Sequence, residues 1–269
     1  MEKSLKLYLS ILLVSILIGC QTNQEKAEKA SKYGFLFYQG NPQHMNAFAY
    51  AVELDSTNAE NWRELSVTYL KRGIPHEWKK YYDKAVEYDA KTWQPWRGYL
   101  YLWFYRDYKK AIVDFDASDT LTPNFIDAPQ GHSVDYWRGI AYLGLKNYEK
   151  SNWYFEKHIK KETEDFGEDY VDLTAFLYNG IAYFEAENFE DALVNFDKQL
   201  KHGRNLSADA KYYKAQILKA ENRIVESKAM IDSAIEDFNS GYYNHRPYVE
   251  TLKQIYPEDL KNFKTLLNN

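Results

Sequence analysis

The chain is poor in the residues that staple and punctuate a fold. One cysteine in 269 residues excludes an internal disulfide framework and any multi-cysteine metal site. Glycine (12) and proline (7) are scarce, which disfavours a loop-rich all-β fold and leaves room for long helices. There is no basic surplus either: 34 Lys and Arg stand against 39 Asp and Glu, a net charge of −5. Nucleic acid is therefore excluded as a main partner, because phosphate binding needs a concentrated basic surface. HExxH, GxSxG, a glycine-rich phosphate loop and an EF-hand loop are all missing. His44, His76, His132, His158, His202 and His245 lie far apart without ligand spacing, so the sequence suggests no metal site. No nucleophile–base pair has local support, and the expectation is a protein that is not an enzyme and has no cofactor.

What is present in excess is aromatic. Tyr (25), Phe (14) and Trp (7) make up 17% of a chain that is otherwise globular in composition, 45% hydrophobic and 27% charged. The N-terminus has a pattern of its own. Lys3 and Lys6 precede an apolar run from Tyr8 to Ile18, broken only by Ser10 and Ser15, and Leu17-Ile18-Gly19-Cys20 closes it. A charged start, a short apolar core and a small residue before the cut describe a secretory signal. The run is too short for a membrane-spanning helix, which needs about 20 residues.

Leu17-Ile18-Gly19-Cys20 resembles the bacterial lipobox. The resemblance implies a signal peptide over 1–19, cut before Cys20, and a covalent lipid on the Cys20 thiol. It also implies a lipid-anchored place in the bacterial cell envelope. Gln21, where an Asp would retain the protein at the inner membrane by the enteric rule, points to the outer membrane. The competing reading is an ordinary signal peptide with a chance cysteine. Residues 20–29 read as the lipidated cysteine and a polar tether.

The rest of the chain repeats. Ala51-Val52-Glu53-Leu54-Asp55 recurs 34 residues later as Ala85-Val86-Glu87-Tyr88-Asp89, and Gly139-Ile140-Ala141-Tyr142 recurs as Gly180-Ile181-Ala182-Tyr183. In the window 59–92, Trp62, Leu65, Ser66 and Tyr69 mark one helical face, Gly73-Ile74-Pro75 a turn, and Tyr82 and Ala85 a second helix. This pattern resembles the tetratricopeptide repeat, a helix–turn–helix unit of 34 residues. The resemblance implies an all-α, tetratricopeptide-type solenoid, a right-handed superhelix of about six repeats. Copies one to three fall within 25–123, an inserted loop occupies 124–131, copies four to six occupy 132–241, and 242–269 forms a C-terminal helical cap. Trp78 and His44 stand where the family places a small residue, so those pairs must open or shift there.

In this family the first helix of each copy lines a concave groove. On that geometry Arg63 and Lys71 in copy two and Arg97, Tyr101, Phe104 and Tyr105 in copy three face the groove, beside Tyr33, Leu36 and Phe37 in copy one. Trp96, Leu100 and Trp103 pack inward. Rings beside arginine suit a peptide-binding or glycan-stacking surface; the alternative is that most of these rings are core. The inserted loop and its exit carry Asp127, His132, Ser133 and Asp135. They read as a structured linker, with Ser133 or His132 near the next helix start, as a binding loop, or as a catalytic loop if His132, Ser133 and an Asp converge. The acidic run Glu162 to Asp169 reads as a solvated loop; the alternative, a Ca²⁺ site, has no regular ligand spacing behind it. Together these features lead to the expectation of a membrane-anchored scaffold for an envelope protein or peptide segment. The alternative is a lipoprotein that binds a glycan or small ligand through an aromatic groove.

Overall fold

The computed structural model describes residues 21–268; the expected signal peptide and Cys20 lie outside the described residues. Among the described residues there are thirteen α-helices and no strand. The chain divides into two compact units, Met1–Trp93 and Gln94–Asn269. In the first unit, α1 (Asn23–Gly34) pairs with α2 (Pro42–Leu54), and α3 (Ala59–Lys71) with α4 (Pro75–Tyr88). Helix α5 (Ala90–Phe104) enters the second unit, where it packs against α6 (Tyr108–Leu121). There follow the pairs α7 (Val134–Gly144) with α8 (Tyr148–Phe166), α9 (Leu173–Glu185) with α10 (Phe189–His202), and α11 (Ala208–Ala220) with α12 (Ile224–Asn239). The last helix is α13 (Pro257–Leu266).

These six pairs coincide with the six copies read from the sequence, and one contact recurs in them. A glycine in the first helix lies under a phenyl ring from the second. A Cβ built on Gly34, Gly98, Gly139 or Gly180 would come within 2.6–2.8 Å of Phe48, Phe115, Phe155 or Phe196 respectively. All four rings are fully buried. At the corresponding positions copies two and six carry Ser66 with Tyr82 and Ala215 with Ile231, all four residues buried. Ser151 and Ser227 tighten their pairs by donating to the carbonyls of Gly139 (2.8 Å) and Ala215 (2.7 Å). Trp78 and His44 are buried as well, against Tyr82 and Phe48. Gly180→Ala should therefore overpack copy five. Its methyl would sit 2.6 Å from a Phe196 ring carbon, and the cost should be about 1–3 kcal/mol in urea unfolding. An unchanged midpoint would show that the ring can move aside.

The turns inside the pairs also repeat. A residue in the left-handed region is followed by a short polar cap: Arg106 then Asp107, Lys146 then Asn147, Glu187 then Asn188. Each cap accepts from the backbone N–H three residues on. Copies one and two place a glycine, Gly40 and Gly73, at this left-handed position.

Three boundaries differ from those expected. The tether over 20–29 is mostly helix, because Thr22 and Glu25 form a reciprocal capping box (3.1 and 2.8 Å) that starts α1 at Asn23. The acidic run is not a loop up to Phe166. Helix α8 continues through it for 19 residues, supported by Lys160–Glu164 and Lys161–Asp165 pairs at i,i+4, and stops at Gly167 with φ +94. The C-terminal cap over 242–269 is helical only from Pro257. Gly241 (φ +87) ends α12, Pro247 removes a backbone donor, and residues 242–256 run without regular structure. Helix α13 does cap: Ile255, Leu260 and Leu267 are buried with Ala208, Ala215, Ile231 and Ala234, and Phe263 packs edge-on to Tyr212.

Candidate functional site

The second unit has a face built from the first helix of every one of its copies, and the irregular segment 242–253 runs along it. Tyr242 O accepts from the N–H of Ala208 at the start of α11 (2.8 Å). The backbone N–H of Asn244 donates to Asp209 Oδ2 on α11 (2.7 Å), and its side-chain amide donates to the Tyr178 hydroxyl on α9 (2.8 Å). The Arg246 guanidinium lies over two indoles, Trp103 of α5 at 5.1 Å and Trp137 of α7 at 5.0 Å, and donates to the Tyr99 hydroxyl of α5 (3.2 Å). Farther on, Arg106 donates to Glu250 O and Lys253 pairs with Glu185 of α9 (2.7 Å). Tyr243 departs from this pattern by stacking on Phe238 of α12.

The floor beneath this segment is buried and mostly aromatic: Tyr99, Trp103, Trp137, Tyr178 and Asp209. Burial holds the Asp209 carboxyl up at about 7. It also pushes the Tyr178 hydroxyl up to about 12, so this group stays a neutral donor and acceptor. The face presents two main-chain anchors, an amide reader and a guanidinium clamp between indoles, which together suit an extended polypeptide.

No family model and no curated protein sequence matches the chain. Solved structures do. PilW, a type IV pilus biogenesis factor, superposes with a TM-score of 0.63 at 15% identity, over 91% of this chain and 99% of that one. PilF of Pseudomonas aeruginosa gives 0.59 at 18% identity over 82% and 93% of the two chains. YrrB, described as a tetratricopeptide protein with an unusual peptide-binding site, gives 0.53 at 19% identity over 72% and 93%. The fold is a tetratricopeptide-type helical repeat.

The tetratricopeptide register explains which predicted groove residues were misplaced. Gly98 is the residue under Phe115, so it corresponds to Gly139 and Gly180. Copy three therefore starts about two residues earlier than its Trp96 suggested. Two residues are about 200° of helix rotation, enough to exchange the inner and packed faces. Arg97 points to its own pair, donating from Nε and Nη2 to Asp114 of α6 (2.8 and 2.7 Å). Tyr101 is buried, with Lys110 of α6 over its ring. Tyr105 packs edge-on against Tyr101, and burial pushes its hydroxyl up to about 12. Phe104 is half-buried. The groove residues of α5 are instead Tyr99 and Trp103, the latter expected to pack inward. A frame set by the glycine would have found them.

The inserted loop does not converge on a reactive centre. Asp127 accepts from the Thr122 hydroxyl (2.5 Å), and its carbonyl accepts from Val134 N–H, which closes the loop on itself. His132 stacks on Tyr136 and lies 4.0 Å from Asp172. Asp135 is buried between Arg138 (2.8 Å) and Lys157 (2.9 Å). Ser133 is the N-cap of α7, accepting from Tyr136 N–H (3.2 Å), in keeping with the linker reading. Its hydroxyl also meets His158 Nδ1 (3.0 Å), whose Nε2 is 3.4 Å from Glu162. Burial holds His158 down at about 4, so it is a weak base at neutral pH and the hydroxyl serves the cap.

In the first unit, Arg63 pairs with buried Glu64 (2.5 Å) and lies over the Trp93 ring (4.9 Å). Lys71 donates to Gln39 (2.8 Å), which in turn donates to Glu64 (3.0 Å). These two cations brace the turn after α1. Exposed rings lie elsewhere on this unit: Tyr33, Phe35, Tyr38 and Tyr50 are half or more exposed, together with Leu36. Tyr33 and Tyr50 line an open groove of about 560 Å³ between α1 and α2, beside Lys26, Lys29 and Gln21.

Proposed function

We propose that this protein is a lipid-anchored scaffold of the bacterial cell envelope, held to the outer membrane through Cys20, that recruits a protein partner and catalyses no reaction. The observation that carries the reading is the exposed aromatic surface of the first copy. Rings with a polar tip beside lysines form a surface suited to protein contact, and they sit next to Gln21, the residue after the expected anchor. PilW and PilF share the fold, and the former is a pilus biogenesis factor; YrrB carries a peptide-binding site. Confinement to a membrane raises the effective concentration of both partners, so modest affinity suffices.

A photo-crosslinking residue in place of Tyr33 or Tyr38, in cells, should capture a discrete envelope protein, while the same probe at Tyr170, an exposed ring on the second unit, should not. Equal capture at all three positions, or none at Tyr33 and Tyr38, would overturn the reading. Cys20→Ser should abolish incorporation of labelled fatty acid and release the protein from the membrane fraction. Unchanged labelling removes the anchor.

A further inference from the structure

The inner face of the second unit already holds a polypeptide, the chain's own residues 242–250. We infer that this face is a receptor for an extended segment with asparagine followed two residues later by arginine, and that Asn244-His245-Arg246 is its resident occupant, displaced when an outside segment of the same chemistry arrives. The inference shares with the proposed function only the premise that the ligand is a protein.

Three observations point this way. First, the face reads the segment as peptide grooves read ligands. Backbone groups of Tyr242 and Asn244 meet Ala208 N–H and Asp209, which fixes direction without regard to sequence. Two side chains give selectivity: the Asn244 amide on Tyr178 and the Arg246 guanidinium on Trp103, Trp137 and Tyr99. Second, the contacts come from the first helices of all four copies in the unit, the surface that this architecture offers to partners. A segment needed only to join α12 to α13 has no reason to reach Tyr99, 147 positions away in sequence.

Third, the segment is held lightly between firm ends. None of residues 241–250 is buried, and Tyr248 is 78% exposed. The buried residues resume at Thr251, whose hydroxyl reaches the Asn244 carbonyl (3.4 Å), and at Ile255, which packs with Leu260 and Leu267 against Ala208, Ala215, Ile231 and Ala234. Release of 244–250 therefore leaves Tyr243 on Phe238 and the cap contacts of Ile255, Leu260 and Leu267 in place, and uncovers a floor of indoles and phenols. Being tethered, the occupant competes at the high local concentration of an intramolecular ligand, and an outside segment binds in proportion to the open fraction.

The test is a titration of the full chain, in detergent, with a fluorescent peptide of residues 241–251. The wild-type protein should bind it weakly. The double variant Asn244→Ala/Arg246→Ala should bind at least about tenfold tighter, because its own occupant competes less. The same peptide with alanine for its arginine should lose that gain, as should Trp103→Ala added to the double variant. Equal affinity for wild type and double variant, or indifference to the peptide's arginine, overturns the inference. A fold-independent check uses the wild-type protein alone. The Asn244 amide hydrogen should exchange with solvent faster than the core amides of α7 and α9. If all exchange only through global unfolding, the occupant is a fixed part of the fold and the inference fails. Failure of envelope crosslinking on the first unit would leave both readouts unchanged.

Discussion

Arg138→Ala should cost about 3–5 kcal/mol, among the largest losses any single polar substitution can cause in this chain. Arg138 is 1% exposed, yet all three of its guanidinium nitrogens donate. It donates to Asp116 (2.9 Å), Asp119 (2.7 Å), Asp135 (2.8 Å) and the carbonyl of Phe115 (2.5 Å), and lies over the ring of Tyr154. These contacts join α6 of copy three to α7 and α8 of copy four, across the inserted loop. Asp116 and Asp119 are mostly exposed, so water would rehydrate them when the guanidinium is gone. Asp135 would not be rehydrated. It is 5% exposed and would keep only Lys157. The cost therefore concentrates on one buried carboxylate and one carbonyl, and Asp135→Asn added to Arg138→Met should recover part of it. Urea unfolding followed by circular dichroism and by tryptophan fluorescence measures both variants. A loss below about 1 kcal/mol for Arg138→Ala would mean that the pairs contribute little beyond their desolvation.

Asp209→Asn should stabilise the protein at alkaline pH and flatten its pH dependence. Burial raises the folded-state pKa of Asp209 from 3.8 to about 7. Between those values the unfolded chain gives up the proton and the folded chain keeps it. The unfolded state then binds fewer protons, so stability falls as pH rises from about 4 to about 7, by about 4 kcal/mol in all. Asparagine cannot ionise, and its Oδ1 can still accept the Asn244 N–H that Asp209 accepts now. The variant should match the wild type near pH 4 and exceed it by a few kcal/mol at pH 8. Parallel stability curves across that window would place the carboxyl in a wetter site than the one described.

The repeat architecture was legible because its determinants are local. The glycine–phenyl contact recurs at near-constant spacing, and the Gly139-Ile140-Ala141-Tyr142 repeat displays its frame directly. Copy three misled because Trp96 imitates the position of Trp62, while the residue that sets the register is the small Gly98, which packing reveals and hydropathy does not. In copy three the rings of the face beneath residues 242–250 are Tyr99 and Trp103, in place of the expected Tyr101 and Tyr105. Its occupant was hidden for a different reason. Asn244 reaches Asp209 and Tyr178, 35 and 66 positions away, and an extended segment with no periodicity announces no partner. The shortened tether follows the same logic in reverse. Thr22 and Glu25 have capping-box spacing, but a run of polar residues masked it.

That capping box sets the length of a leash. With α1 beginning at Asn23, only Gln21 and Thr22 separate Cys20 from rigid structure. Two extended residues span about 7 Å, roughly the thickness of one layer of lipid headgroups. A lipid on Cys20 would therefore give the first unit a pivot and almost no reach. It could tilt and spin against the bilayer but could not search the space above it. Its partners would have to come to the membrane, and lengthening the segment before Thr22 by a dozen flexible residues should change which proteins it meets without altering a single contact surface.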